Sequence, residues 1–195
     1  MARPSTPRPT AAPDRLTAAD LMPILPVTAE VKDGRLWIGG VDVVELAREA
    51  GTALYVMDEV TIRQQLADYV TWTRYHWKDV DVVYAGKAFL TLAMVRIVEE
   101  EDCCLLCASG GELAYAVRAG FPMERVQMHG NNKTPAELAE CLDAGIGRIV
   151  VDNFYELETL AGMIAARADR PHPAPLPRVL YSTTHCRVRA LAPAR

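Results

Sequence analysis

Apolar side chains along this chain follow two rhythms: short unbroken runs, and longer stretches in which they recur at every third or fourth position. The runs predict strands at residues 53–57, 80–85 (apolar apart from Asp81), 103–108, 126–129, 148–151 and 178–181. The stretches between them predict helices at 59–75, opening after Asp58, and at 89–101, 110–119, 135–144 and 154–168. Strand and helix therefore alternate through the middle of the chain. Short apolar strands separated by amphipathic helices predict parallel β-α-β units whose strands are buried on both faces.

The junctions repeat as well. Ser109, Thr134 and Asn153 each precede a helix and are followed three positions later by Glu112, Glu137 and Glu156. That spacing predicts reciprocal capping, in which each side chain takes up a free backbone N–H of the helix start. Pro135 falls at the first helical position, where its missing N–H costs nothing. Gly51, Gly120 and Gly145 stand where a left-handed residue ends a helix. Such a unit builds either a doubly wound open sheet or a (β/α)8 barrel, and in both the ligand lies at the carboxyl ends of the strands. The residues there are Gly86-Lys87-Ala88, Ser109-Gly110-Gly111-Glu112, Gly130-Asn131-Asn132-Lys133 and Asp152-Asn153. No G-x-G-x-x-G follows the first strand and no G-x-x-x-x-G-K-[ST] occurs, so nicotinamide dinucleotide and P-loop chemistry lose their support.

Composition sets limits around this core. The chain has 195 residues, 50% of them apolar, with 25 acidic against 21 basic side chains. Apolar content is too high for general disorder, and no run reaches the ~18 consecutive apolar residues of a membrane helix. A net charge of −4 without a basic block argues against nucleic acid as a partner. Prolines crowd the first 26 residues and residues 171–177, whereas every glycine lies between Gly34 and Gly162. This predicts a Pro-rich flexible leader at 1–26, an N-terminal segment at 27–52, and an α/β unit at 53–182 followed by a divergent basic tail at 183–195. The odd count of cysteines (Cys103, Cys104, Cys107, Cys141, Cys186) and the absence of an apolar leader predict a reducing, cytoplasmic setting. Cys104-x-x-Cys107 lies inside an apolar run without a second pair, which favours buried strand thiols over a metal or redox site.

Lys87 ends the apolar strand Val82-Val83-Tyr84-Ala85-Gly86, an unusual place for a long cation. Held in a dry barrel, its ammonium would be desolvated, which favours the free amine that Schiff-base chemistry needs. The alternative is a lysine that reaches out to solvent or pairs with a neighbouring carboxylate.

The words around these positions resemble, in order and spacing, the first half of the diaminopimelate decarboxylase family: Tyr84-Ala85-Gly86-Lys87-Ala88-Phe89, Ala108-Ser109-Gly110-Gly111-Glu112-Leu113, His129-Gly130-Asn131-Asn132-Lys133-Thr134 and Gly147-Arg148-Ile149-Val150-Val151-Asp152. These are pyridoxal-phosphate (PLP) enzymes with an alanine-racemase-like barrel, and the resemblance runs from about Leu25 to Val179. It implies an incomplete PLP-binding (β/α)8 barrel in which Lys87 carries the cofactor as a Schiff base. Tyr84 and Ala85 would then shape the cofactor wall, with His129 and Ser109, and near them Glu112 and Asn131, in the loops facing it. For Ser109 and Glu112 capping is an alternative, for His129 a structural hydrogen-bonded role, and for Asn131, Asn132 and Lys133 a plain polar turn. No metal is implied, the substrate is a small amino acid, and the full-length family forms homodimers.

The sequence departs from the family in two ways. Leu106 stands three residues before Ser109, where the family usually has aspartate, and this removes an acceptor near the cofactor. After Leu180 the resemblance ends, and the family's later elements, including a phosphate cradle and a second β domain, do not follow. The sequence reading is thus a PLP-dependent carboxy-lyase of lysine biosynthesis, converting meso-2,6-diaminopimelate to L-lysine and carbon dioxide, with this chain expected to be truncated and inactive alone. Its rivals are an ornithine, arginine or carboxynorspermidine decarboxylase of the same fold and a non-catalytic PLP-binding module.

Overall fold

The computed structural model describes residues 18–167 and 178–181. The chain divides between Gln65 and Leu66 into two compact units. The division falls inside a helix.

The first unit opens with a turn of helix, α1 (Ala18–Leu21), and a 3-10 turn at Met22–Ile24, both within the stretch read as a leader. A three-stranded antiparallel sheet follows, made of β1 (Glu30–Lys32), β2 (Arg35–Ile38) and β3 (Val41–Asp42). Its two turns are Asp33-Gly34, with φ 51° and 71°, and Gly39-Gly40, with φ 58° and 79°. Two successive positive φ values match the right-handed twist of the strands they join, which is why such dipeptides make hairpins. Asp42 then caps α2 (Val43–Ala50), accepting from the N–H of Val44 at 2.8 Å and also pairing with Arg35 at 2.8 Å. Gly51 closes α2 with φ 86° but an extended ψ, not the left-handed conformation expected there.

Residues 53–57 do not form the strand that their apolar run predicts. An apolar run becomes a strand only where a neighbour takes up its N–H and C=O groups. No described strand pairs with this one, and Leu54, Tyr55, Val56 and Met57 are exposed. Asp58 then starts α3 (Glu59–His76) by accepting from the N–H of Thr61 at 3.1 Å.

The second unit holds a five-stranded parallel sheet of β4 (Val83–Ala85), β5 (Cys104–Cys107), β6 (Val126–Met128), β7 (Arg148–Val151) and β8 (Arg178–Tyr181). Between the strands run α4 (Leu92–Glu100), α5 (Gly110–Ala119), α6 (Pro135–Ala144) and α7 (Phe154–Ala165). The strands are ordered β4-β5-β6-β7-β8, each beside its neighbour in sequence. A doubly wound sheet reverses its strand order once, so this unbroken progression selects an arc of a (β/α)8 barrel. Burial agrees, although it corrects one expectation. Leu105, Cys107, Val126, Met128, Ile149 and Val151 are completely buried, whereas the alternate residues Leu106, Gln127, Arg148 and Val150 are only half-buried. Helices pack on one face of the arc, so the strands are sealed on one side and not on both.

Four contacts hold the arc's amino-terminal side. Arg125 donates to the carbonyl of Cys103 at 2.8 Å and pairs with Asp102 at 3.1 Å, and Arg74 pairs with the same carboxylate. Gly147 donates its N–H to the carbonyl of Met123 at 2.9 Å, and a Cβ there would fall 1.9 Å from the carbonyl oxygen of Glu124. Only glycine lets these two backbones approach. Cys103, Cys104 and Cys107 are buried free thiols, as their place in an apolar run predicts; Cys141 in α6 is a buried free thiol as well, and Cys186 lies outside the described residues.

Candidate active site

The carboxyl rim of the arc collects the residues singled out from the sequence. Lys87 lies two positions beyond β4, Ser109 two beyond β5, His129 one beyond β6 and Asp152 one beyond β7. Because the strands are parallel and in register (Ala85 beside Leu106, Cys107 beside Met128), all four emerge on the same edge of the sheet.

Lys87 sits in a single 3-10 turn, Gly86–Ala88, that follows β4. Gly86 sets the path of this turn: it is buried, and a Cβ on it would meet the carbonyl oxygen of Leu106 at 3.0 Å and Glu112 Oε2 at 3.2 Å. On the far side of the turn the Tyr84 hydroxyl donates to the carbonyl of Phe89 at 2.7 Å, and burial pushes its phenol above the usual range. Lys87 is itself exposed, and among the described residues no hydrogen bond or ion pair holds its amine. The desolvation expected of a dry barrel is thus not supplied by these strands, because the face on which the lysine emerges is open.

Strand alternation separates the two residues read as a cofactor wall. Ala85 shares the half-buried face with Leu106, Gln127 and Arg148, one row across four strands. Tyr84 shares the opposite row with Leu105, so it braces the turn that carries Lys87 and does not line the open face. Leu106 lies on that open face, in the row beside Ala85, where a carboxylate would face the same space as the rim lysine. At the other end of the row, Arg148 pairs with Asp81 at 2.9 Å.

The three helix starts behave differently from one another. Thr134 accepts from the N–H of Glu137 at 3.2 Å while Glu137 accepts from the N–H of Thr134 at 2.9 Å, so the reciprocal box closes there. Glu137 also accepts from the N–H of Gly110 at 2.9 Å, tying the starts of α5 and α6 to one carboxylate. Hydrogen bonds from the N–H groups of Thr134 and Gly110 hold that carboxyl below its usual range. Ser109 and Asn153 cap α5 and α7 by accepting from Glu112 N–H at 3.3 Å and Glu156 N–H at 2.9 Å. Their glutamates do not reciprocate. Glu112 reaches one residue further back to the N–H of Ala108 at 2.9 Å, and Glu156 to that of Asp152 at 3.4 Å. Ser109 therefore gives one of its oxygen's two lone pairs to the helix and keeps its O–H donor.

His129 is exposed, with its N–H bonded to the carbonyl of Cys107 at 2.8 Å. Asn131 and Asn132 are exposed in the loop that follows. The same loop holds what the sequence reading passed over as a polar turn. Lys133 is turned inward, its side chain 2% exposed, and its ammonium lies 2.9 Å from Glu156 Oε1, a carboxylate only 3% exposed. The clue available in the sequence was a lysine between a strand end and a capping threonine, with a glutamate at the start of the helix after next.

The rim thus presents two lysines of opposite availability: Lys133 is buried and fully engaged, and Lys87 is exposed and unengaged. A carbonyl-bearing cofactor needs a primary amine that it can reach, and among the described residues of this rim Lys87 offers an accessible one. With exposed His129 and the Ser109 hydroxyl on the adjoining loops, these residues fit a pyridoxal group.

Comparison with known proteins agrees. A diaminopimelate decarboxylase of Bacillus subtilis (strain 168) is 48% identical over 127 residues, covering 65% of this chain and 29% of that protein. Its counterpart in Actinosynnema pretiosum is 38% identical over 167 residues, covering 79% of this chain and 37% of the relative. The chain thus spans well under half the length of these relatives. Among solved structures, the diaminopimelate decarboxylase of M. jannaschii in complex with L-lysine superposes with a TM-score of 0.68 at 30% identity, covering 80% of this chain and 35% of that one. A lysine/ornithine decarboxylase of Vibrio vulnificus complexed with putrescine matches at 26% identity with a TM-score of 0.56, covering 71% of this chain and 35% of that one. The family model of the pyridoxal-dependent decarboxylases, pyridoxal binding domain, matches residues 60–175, more than half of the chain and the whole of the rim from Lys87 to Asp152, and the chain belongs to that family.

Proposed function

We propose that this chain is the cofactor-bearing part of a decarboxylase that removes the α-carboxylate of meso-2,6-diaminopimelate, giving L-lysine and carbon dioxide. The observation that carries the reading is the exposed amine of Lys87 on a rim where the second lysine is locked away. The substrate follows from relatives at 38% to 48% identity that are diaminopimelate decarboxylases.

When bound, pyridoxal phosphate supplies an aldehyde for an amine to attack and a ring that accepts the electron pair left by a departing carboxylate. The chain's own residues bind and orient. Lys87 provides the amine; Gly86, wedged against Leu106 and Glu112, and the hydroxyl of Tyr84 on Phe89 hold the turn that aims it. Ala85, small and on the open face, leaves room beside the lysine. His129 offers an aromatic face from the next loop but one, and the Ser109 O–H remains available to an oxygen of the ligand. Leu106 gives that space an apolar wall. Four described cysteines kept as free thiols support a cytoplasmic location, and for the whole protein we infer a homodimer from the family resemblance.

The test traps the amine. With pyridoxal phosphate and borohydride, peptide mapping should place the reduced adduct on Lys87, and Lys87→Ala should abolish it. Labelling spread over Lys32, Lys78 and Lys133 would overturn the cofactor assignment. Carbon dioxide release by the chain with its downstream sequence restored, compared among diaminopimelate, ornithine and arginine, tests the substrate, and a preference for ornithine would replace it.

A further inference from the structure

The buried lysine of the rim has a geometry that a plain turn does not require. An ammonium has three donors. Lys133 Nζ donates to two carbonyls, Gly130 at 2.5 Å and Val150 at 2.8 Å, and lies 2.9 Å from a third oxygen, Glu156 Oε1, as an ion pair outside hydrogen-bond geometry. Each belongs to a different part of the rim. Gly130 follows His129 directly, Val150 lies in β7, and Glu156 sits in the first turn of α7, where its other oxygen accepts from the N–H of Asp152 at 3.4 Å. Gly130 has φ 122°, and a Cβ there would stand 3.4 Å from the carbonyl oxygen of Ala108, so the loop also leans on the end of β5.

We infer that Lys133 is a positioning residue that acts through His129: it clamps the loop after β6 to the end of β7 and the start of α7, and so fixes where the His129 ring stands on the rim. The inference rests on the reading of His129 as a cofactor-facing residue. A neutral side chain could fill the volume, but it could not bind two carbonyls and a carboxylate at once. The pair is costly as a stabilising device, since two charges give up water to form it. What it provides is direction: the carbonyl of Gly130 is held, and with it the residue before.

The experiment separates local order from global stability. In the unmodified chain, the His129 amide, bonded to the carbonyl of Cys107, should exchange with solvent as slowly as neighbouring sheet amides; exchange at the rate of a free peptide would overturn the clamp. Lys133→Met with Glu156→Gln removes both charges together and avoids an unpaired buried one. In that variant, exchange at His129 should accelerate by about tenfold or more relative to Leu105 and Ile149. Acceleration shared equally by all these amides, or by none, would reduce Lys133 to a structural residue. Borohydride trapping at Lys87 gives the second readout: it should slow in the double variant while trapping at Lys78 is unchanged. If the unmodified chain takes no label at Lys87, the cofactor reading fails, and the exchange results still decide the clamp.

Discussion

Two side chains facing the helix side of the arc show how strongly burial controls chemistry here. Cys107 in β5 and Cys141 in α6 are both fully buried, and burial pushes each thiol up to about 12 from an ordinary value of 9.0. The folded state therefore keeps these protons where the unfolded chain gives them up. Any stability they contribute is present below pH 9.0 and is lost as pH rises toward about 12, since the unfolded state binds fewer protons there. A disulfide-exchange reagent at pH 8 should accordingly leave Cys107 and Cys141 unmodified in the native chain and label them on addition of denaturant. Rapid native labelling of either would show that the helix layer opens readily. Lys87 is the counterpart at the same scale: its exposure leaves its amine open to reagents that cannot reach Lys133.

At the scale of elements, one motif produced three different arrangements. The box at Thr134 closes in both directions, and its glutamate also carries the start of α5, whereas the boxes at Ser109 and Asn153 close in one direction. Thr134→Ala should cost about 1 kcal/mol in denaturant melts, and Ser109→Ala, whose bond is longer, should cost less. Glu137→Gln adds a pH signature. Because N–H donors hold this carboxyl below its ordinary value, its contribution is present at neutral pH and fades as pH falls through the depressed folded value. The difference between Glu137→Gln and the unmodified chain should therefore shrink in acid. A difference independent of pH would remove the carboxylate from the account.

At the scale of the whole molecule, the arc is open. Among the described residues β4 and β8 each pair on one side only, and the sheet face with Ala85, Leu106, Gln127 and Val150 is half-buried. Unpaired strand edges and apolar surface recruit further chains unless something covers them. α3 adds exposed Trp72 and Tyr75, with Trp77 just beyond it. The chain studied by itself should therefore sediment as species that grow with concentration, and urea below the unfolding midpoint should reduce them. A single monomeric boundary at all concentrations would mean that the edges are protected.

The sequence by itself determined most of the elements of the second unit. α5, α6, β7 and β8 fall where periodicity and capping residues place them, because their signals are local: an apolar run, a cap, a glycine. It also placed Lys87, Ser109, His129 and Asp152 on one rim, since parallel strands put every strand-to-helix junction on the same edge. Residues 53–57 carry a strand's composition but lack a strand's partner among the described residues, and β4 is shorter than its apolar run, although the carbonyl of Val82 just before it accepts from the N–H of Cys104. The hairpin dipeptides Asp33-Gly34 and Gly39-Gly40 lay outside the repeating pattern and were not read as turns. Only the tertiary structure decided that one face stays open, that Tyr84 points away from it, and that Lys133 turns inward while Lys87 turns out. Both lysines follow a strand in the sequence. What separates them is whether carbonyls and a carboxylate from other elements converge on the amine, and that convergence exists only after those elements have packed.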